Sequence, residues 1–220
     1  MRQCVLVIGA HPDDCEIGVA GTIASYVQRG HRVVAVNLRI PSGPGVGEGN
    51  GEKLRRQLEG EKAAAMLGAE SVTFNLSRDD IHANVKLVSA IDKLLAEFQP
   101  TVVFTHWHGD SHPEHVATAH AVLAATRRNR CSVYMYEVTL PGGITPEAFF
   151  PQKLVDISET IDIKMAALAC HESQLEMYGE TWLEAIKGRA AFRGFQLGCR
   201  YAEAFQVVKD VTPIPDLRGR

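Results

Sequence analysis

Residues 5–18, VLVIGAHPDDCEIG, run an apolar, β-branched segment straight into a dense polar cluster, and few architectures can use such a stretch. The first half reads as a strand buried on both faces. The second half carries His11, Asp13, Asp14 and Glu16 within six residues, and a helix is expected over 17–28. The cluster therefore falls at the carboxyl end of a central strand, where open α/β sheets hold their ligands. Pro12 and a single Asp would be enough to stop the strand and cap the helix. Two adjacent carboxylates at a buried strand end repel each other unless a cation or protons offset the charge. The plainer alternative is a helix N-cap with a spare acid.

The pattern recurs. Residues 101–105, TVVFT, form a second apolar strand, and HWHGDSHPEH follows at 106–115 before a helix to about residue 128. That loop holds four His and two acids. A lone His here would be read as a core or cap residue. Two strand ends that both carry His and acid on one edge of a sheet can instead converge on one metal ion.

Between and beyond these stretches, strands are expected over 32–38, 71–75, 131–137, 154–157 and 204–208. Helices are expected over 52–67, stopped by Gly68, over 85–98, ended before Pro100, and over 161–169, with a further helical stretch to about 192. The alternation argues for an α/β fold: a Rossmann-like, mostly parallel twisted sheet with helices on both faces, in one domain spanning 1–220. The 220 residues suffice for one such core. The glycine-rich loop 40–51 matches neither GxGxxG nor GK[ST], so it is a linker or a flap and not a phosphate cradle. Residues 141–146 are a turn-rich insertion, and the tail 213–220 looks loose.

Formal net charge is −3, which gives no reason to invoke nucleic acid. No apolar run approaches a membrane span, and the N-terminus enters a strand with no signal-peptide pattern. The five Cys lack any CxxC pair, as expected of reduced thiols in a cytoplasmic protein.

The motifs resemble a known family. Ala10-His11-Pro12-Asp13-Asp14-Cys15-Glu16, with Gly21-Thr22-Ile23, is similar to the first signature of the LmbE-like, or PIG-L, zinc-dependent N-deacetylases, and His112-Pro113-Glu114-His115 resembles the second, usually His-Pro-Asp-His. Weaker likenesses follow in order: Arg56-x-x-Glu59 with residues 64–68, then His171-x-Ser173-Gln174, then residues 201–205. Two departures stand out. Glu114 replaces the usual Asp, and the loop from Gly43 to Gly51 lacks the Thr-x-Gly-Glu run of many bacterial members.

The residues support the same chemistry. His11, Asp14 and His115 give two imidazoles and a carboxylate, leaving coordination sites open as a catalytic zinc requires. The trio suits Fe(II) or another divalent ion as well. Asp13, beside a ligand, is placed as general base. His112 could stabilise an oxyanion as a cation, with Glu114 keeping it protonated or orienting a ligand. Arg56 and His171 are candidate substrate-binding residues; for Arg56 a surface ion pair with Glu59 competes, and for His171 a helix end. Cys15 reads as packing, and His106 and His108 as loop residues or supports of the ligands; Trp107 and Trp182 could stack on a sugar face, although for either alone the core reading is favoured. The expected reaction is hydrolysis of a small N-acylated substrate such as an N-acetyl amino sugar. An Fe(II) oxygenase or a non-catalytic metal-binding protein are the alternatives, although neither needs both Asp13 and His112. Apolar helical faces late in the chain leave room for a homo-oligomer.

Overall fold

A computed structural model describes residues 2–41, 50–82, 84–138, 141–145 and 147–211. Most of the 43–51 loop and the 213–220 tail, on which expectations were placed, lie outside the described residues.

The first strand, β1 (Cys4–Gly9), is buried over nearly its whole length and splits its side chains between two cores. Val5 and Val7 pack with α1 (Asp14–Gln28) and α2 (Asn50–Met66). Leu6 and Ile8 pack with α3 (Val85–Phe98) and α4 (Pro113–Thr126) on the other face. This is why the strand reads as a continuous apolar run and not as an alternation.

The remaining strands are β2 (Arg32–Asn37), β3 (Glu70–Thr73), β4 (Val102–His106), β5 (Ser132–Tyr136), β6 (Lys153–Asp156) and β7 (Ala202–Lys209). They form one seven-stranded sheet in the order β3-β2-β1-β4-β5-β7-β6. Strands β3 to β5 are parallel, and β7 runs antiparallel to both β5 and β6. The sheet is thus largely parallel, as the sequence predicts, with a mixed edge. The order reverses between β1 and β4, so both polar clusters leave adjacent strands at the switch point where such sheets bind ligands.

Helix α3 shows how local chemistry sets the bounds. Asn84 Oδ1 accepts from the Leu87 N–H at 3.0 Å, and Gln99 turns left-handed (φ 45°) before Pro100. The single late helical stretch expected to end near 192 is instead α6 (Glu172–Tyr178) and α7 (Thr181–Leu197), after α5 (Ile161–Leu168). Gly179, at φ 72°, separates them.

The 201–205 stretch has a structural job. The Glu203 carboxylate accepts from the Gly21 and Thr22 N–H groups of α1 at 2.9 and 2.8 Å, and from Lys164 of α5 at 2.6 Å. All of this is buried, and the close pairing with extra hydrogen bonds is what makes a buried charge tolerable. It pins α1, whose first residues carry the polar cluster. Among the described residues, no helix is long and apolar enough to cross a membrane.

Candidate active site

The turn after β1 is tight. A Cβ on Gly9 would come within 2.9 Å of the Asp14 Cβ, so glycine lets the chain fold back on itself. The His11 N–H donates to Asp14 Oδ2 at 2.7 Å. Asp13 sits in the left-handed region at φ 111°, a strained conformation for a residue with a side chain. It precedes α1 yet makes no capping hydrogen bond, so the plain N-cap reading fails. Its carboxylate lies 3.6 Å from Arg56 Nη2, whereas the Asp14 carboxylate faces the β4 loop. Gly60 of α2 leaves room for Pro12, where a Cβ would stand 3.2 Å from the proline ring.

The loop after β4 folds around its own side chains. The Trp107 indole lies over Gly109, whose missing Cβ would be 2.4 Å from the ring. Asp110 Oδ1 accepts from the His112 N–H at 2.8 Å, and its Oδ2 lies 3.1 Å from His115 Nδ1. His112 is the N-cap of α4, with Pro113 as the first helical residue.

The two loops meet. His115 Nε2 is 3.3 Å from His11 Nδ1 and 3.3 Å from Asp14 Oδ1, and His11 Nδ1 is 3.5 Å from Asp14 Oδ2. Bonds of about 2.0–2.2 Å to a tetrahedral ion would set donor atoms roughly 3.3–3.6 Å apart. The other nitrogen of each ring is held by a carboxylate: His11 Nε2 by Glu114 Oε2 at 2.5 Å, and His115 Nδ1 by Asp110. The remaining nitrogens, His11 Nδ1 and His115 Nε2, face each other at 3.3 Å, close enough to share a proton or a metal ion. The donors fit a metal ion. Two overlapping donor groups include His115, one with His11 and His112 and one with Asp14 and His106.

The electrostatics agree. Burial works against a charged His115, but Asp14 and Asp110 outweigh it and raise its pKa to about 10. Burial and the neighbouring Asp14 push Asp13 up to about 6, partly countered by Arg56 and His171. Burial would raise Asp14, yet His115 and His106 bring it well below the usual carboxylate range.

His11, Asp13, Asp14, Arg56, His112, Glu114 and His115 all line one cavity of about 460 Å³. Three expectations change. Glu114 does not keep His112 protonated: its carboxylate holds His11, and its N–H donates to His112 Nδ1 at 3.2 Å. Burial, with His115 and His11, lowers His112 to about 4, so the ring is neutral with its one proton on Nε2. Arg56 is buried at 4% exposure and donates to the Pro12 carbonyl at 3.1 Å, while Glu59 pairs with Arg55 and Ser173; the surface Arg56–Glu59 pair does not form. His171 is sealed at 1% exposure, with Nε2 3.4 Å from Glu16, and is not among the described residues lining the cavity. Gln174, Tyr178 and Trp182 form that wall instead.

Sequence reasoning missed Asp110 and Arg39. Asp110 had a signal, since it lies five residues before His115 in the same loop. Arg39 had none. It reaches the site because its N–H pairs with the Ala10 carbonyl at 2.9 Å, beyond the end of β2.

Known proteins resemble this chain in sequence and in fold. Residues 6–126 match the family model PIG-L, described as GlcNAc-PI de-N-acetylase. Diacetylchitobiose deacetylase of Thermococcus kodakarensis is 30% identical over 94% of this chain and 84% of its own length. The conserved protein TT1542 of Thermus thermophilus superposes with a TM-score of 0.82 at 27% identity, covering 98% of this chain and 99% of that one. N,N'-diacetylchitobiose deacetylase from Pyrococcus horikoshii shares the fold, with a TM-score of 0.77 at 24% identity over 98% of this chain and 88% of its own. With the family model spanning more than half of the sequence, and with curated deacetylases among its relatives, the chain belongs to the PIG-L family of de-N-acetylases.

Proposed function

We propose that this protein is a zinc-dependent N-deacetylase that removes the acetyl group from an amino sugar or glycoconjugate. The observation that carries the reading is the His11–Asp14–His115 triangle with Asp13 beside it, buried yet open to the cavity. His11 Nδ1, Asp14 and His115 Nε2 would hold the zinc, which when bound would supply Lewis acidity for the amide carbonyl and lower the pKa of the attacking water. Asp13, with a pKa near 6, takes the proton from that water and passes it to the leaving amine. Its carboxylate faces Arg56 whereas that of Asp14 faces His106 and His115, which supports the reading of one as base and the other as ligand. The neutral His112 donates from Nε2 to the developing oxyanion. Arg56 holds Asp13 and the Pro12 carbonyl on one wall, and the half-buried Tyr178, backed by the core residue Trp182, offers a flat surface to a sugar ring.

The same reading treats 1–220 as one domain. Five unpaired cysteines suit a cytoplasmic enzyme, and the exposed Phe192 and Phe195 of α7 suit self-association. The test is to load the purified protein with zinc and follow free amine and acetate from N-acetylglucosamine and diacetylchitobiose. One ion per chain and release of both products are expected, with His115→Ala losing ion and activity together. Zinc bound equally well by His115→Ala would reject the site.

A further inference from the structure

We infer that Arg39 is a positioning residue for the metal centre: by gripping Glu114 it holds His11 with Nε2 protonated and Nδ1 turned to the ion. This rests on the metal-site reading above. Arg39 Nη1 donates to Glu114 Oε2 at 3.1 Å, the same oxygen that lies 2.5 Å from His11 Nε2. Main-chain pairing with Ala10 places Arg39 against the turn that carries His11. Its side chain is mostly buried, unlike that of Arg78, which lies 4.0 Å from the other Glu114 oxygen and is exposed.

The contact answers two problems set by a glutamate at this position. Glu114 starts from the first turn of α4 and must reach a ring 103 residues away in sequence. Its side chain has one more rotatable bond than aspartate, so its carboxylate needs a second anchor to stay on target. The cavity already holds the Asp13 and Asp14 carboxylates, and a third, if loose, would compete as a ligand for the ion. A guanidinium on the same oxygen fixes the carboxylate and offsets its charge. Supports of this kind typically govern metal affinity by about 10–100-fold.

The experiment measures zinc dissociation constants by chelator competition for the wild type, Arg39→Met, Arg39→Lys, Glu114→Gln and the double variant. Thermal melts establish that each is folded, and KM is read at saturating zinc. Arg39→Met should weaken zinc binding by about 10-fold or more. Arg39→Lys should restore part of it, and the double variant should be no weaker than Glu114→Gln alone. KM should stay within about twofold, because the residue acts through Glu114 and not on substrate. Unchanged zinc affinity with a raised KM would overturn the inference and make Arg39 a substrate contact. Additive losses in the double variant would overturn it too, by showing that Arg39 acts without Glu114. Because the readout is ion binding, a protein that binds zinc but releases no acetate would refute the deacetylase reading and still decide the role of Arg39.

Discussion

The two strand ends that build the site solve the same problem differently. The turn after β1 places His11, Asp13 and Asp14 within four residues, and its geometry is fixed by Gly9, Pro12 and a strained Asp13. The loop after β4 spreads its site residues from His106 to His115. It supports its own candidate ligand, since Asp110 holds His115 from within the loop. The β1 turn has no room for such a support, so His11 is held by Glu114 from the other loop and, through it, by Arg39. A short turn aims its groups sharply but must borrow its bracing. A long loop braces itself but leaves some polar groups without a protein partner: His108 Nδ1 and Trp107 Nε1 are buried with no hydrogen-bond partner among the described residues.

Each strand end also supplies one catalytic candidate outside the proposed His11–Asp14–His115 ligand set, Asp13 as base and His112 as oxyanion donor, and their removal is the strongest test of the comparison. Asp13→Asn should lower turnover by roughly 10²–10⁴-fold while zinc stays bound. His112→Ala should cost about 10²-fold, mostly in kcat, because the charge it meets develops in the transition state. Steady-state kinetics with zinc content measured on each variant decides the order. A larger loss for His112→Ala would make oxyanion stabilisation from the β4 loop, and not the base on the turn, the principal contribution to turnover.

The next effect concerns bracing. Asp110→Asn should weaken zinc binding by about 10–100-fold, measured by chelator competition, because His115 then loses the partner that fixes its tautomer. Affinity equal to wild type would mean that the β4 loop holds His115 by packing alone.

The smallest effect is a displacement in pH. Arg56 favours the charged form of Asp13, whose pKa lies near 6. Arg56→Gln should therefore raise the Asp13 pKa and move the acid limb of kcat/KM to higher pH. The loss at neutral pH should remain within about threefold. A pH–rate profile with an unmoved acid limb would separate Arg56 from the base and leave it a structural clamp on Pro12.

The β1 turn was legible almost residue by residue. Its apolar run, its glycine, its proline and its paired acids act on near neighbours, and near neighbours are what a sequence displays. The β4 loop was legible in content but not in assignment. The four histidines announced a site, yet which ring faced His11 and Asp14 and which acid braced it depended on Trp107 folding over Gly109 and on Asp110 turning inward. The expected partnership of Glu114 with His112 failed for the same reason. The two are neighbours in sequence, but the first turn of α4 sends the carboxylate across to His11 and leaves only the Glu114 N–H for His112.

The sequence by itself determined the parallel centre of the sheet, the placing of two His- and acid-rich clusters at strand ends and the residue types those clusters offer. All three follow from local residue order: apolar runs bury, and polar residues at their ends cannot. Only the tertiary structure decided that Arg39 reaches Glu114, that His171 is sealed away from the cavity and that Tyr178 and Trp182 line it. Those outcomes depend on how far β2 pairs past its end and on where Gly179 breaks the late helices. Contacts between groups distant in the chain are set by the packing of whole elements, which no short stretch of residues encodes.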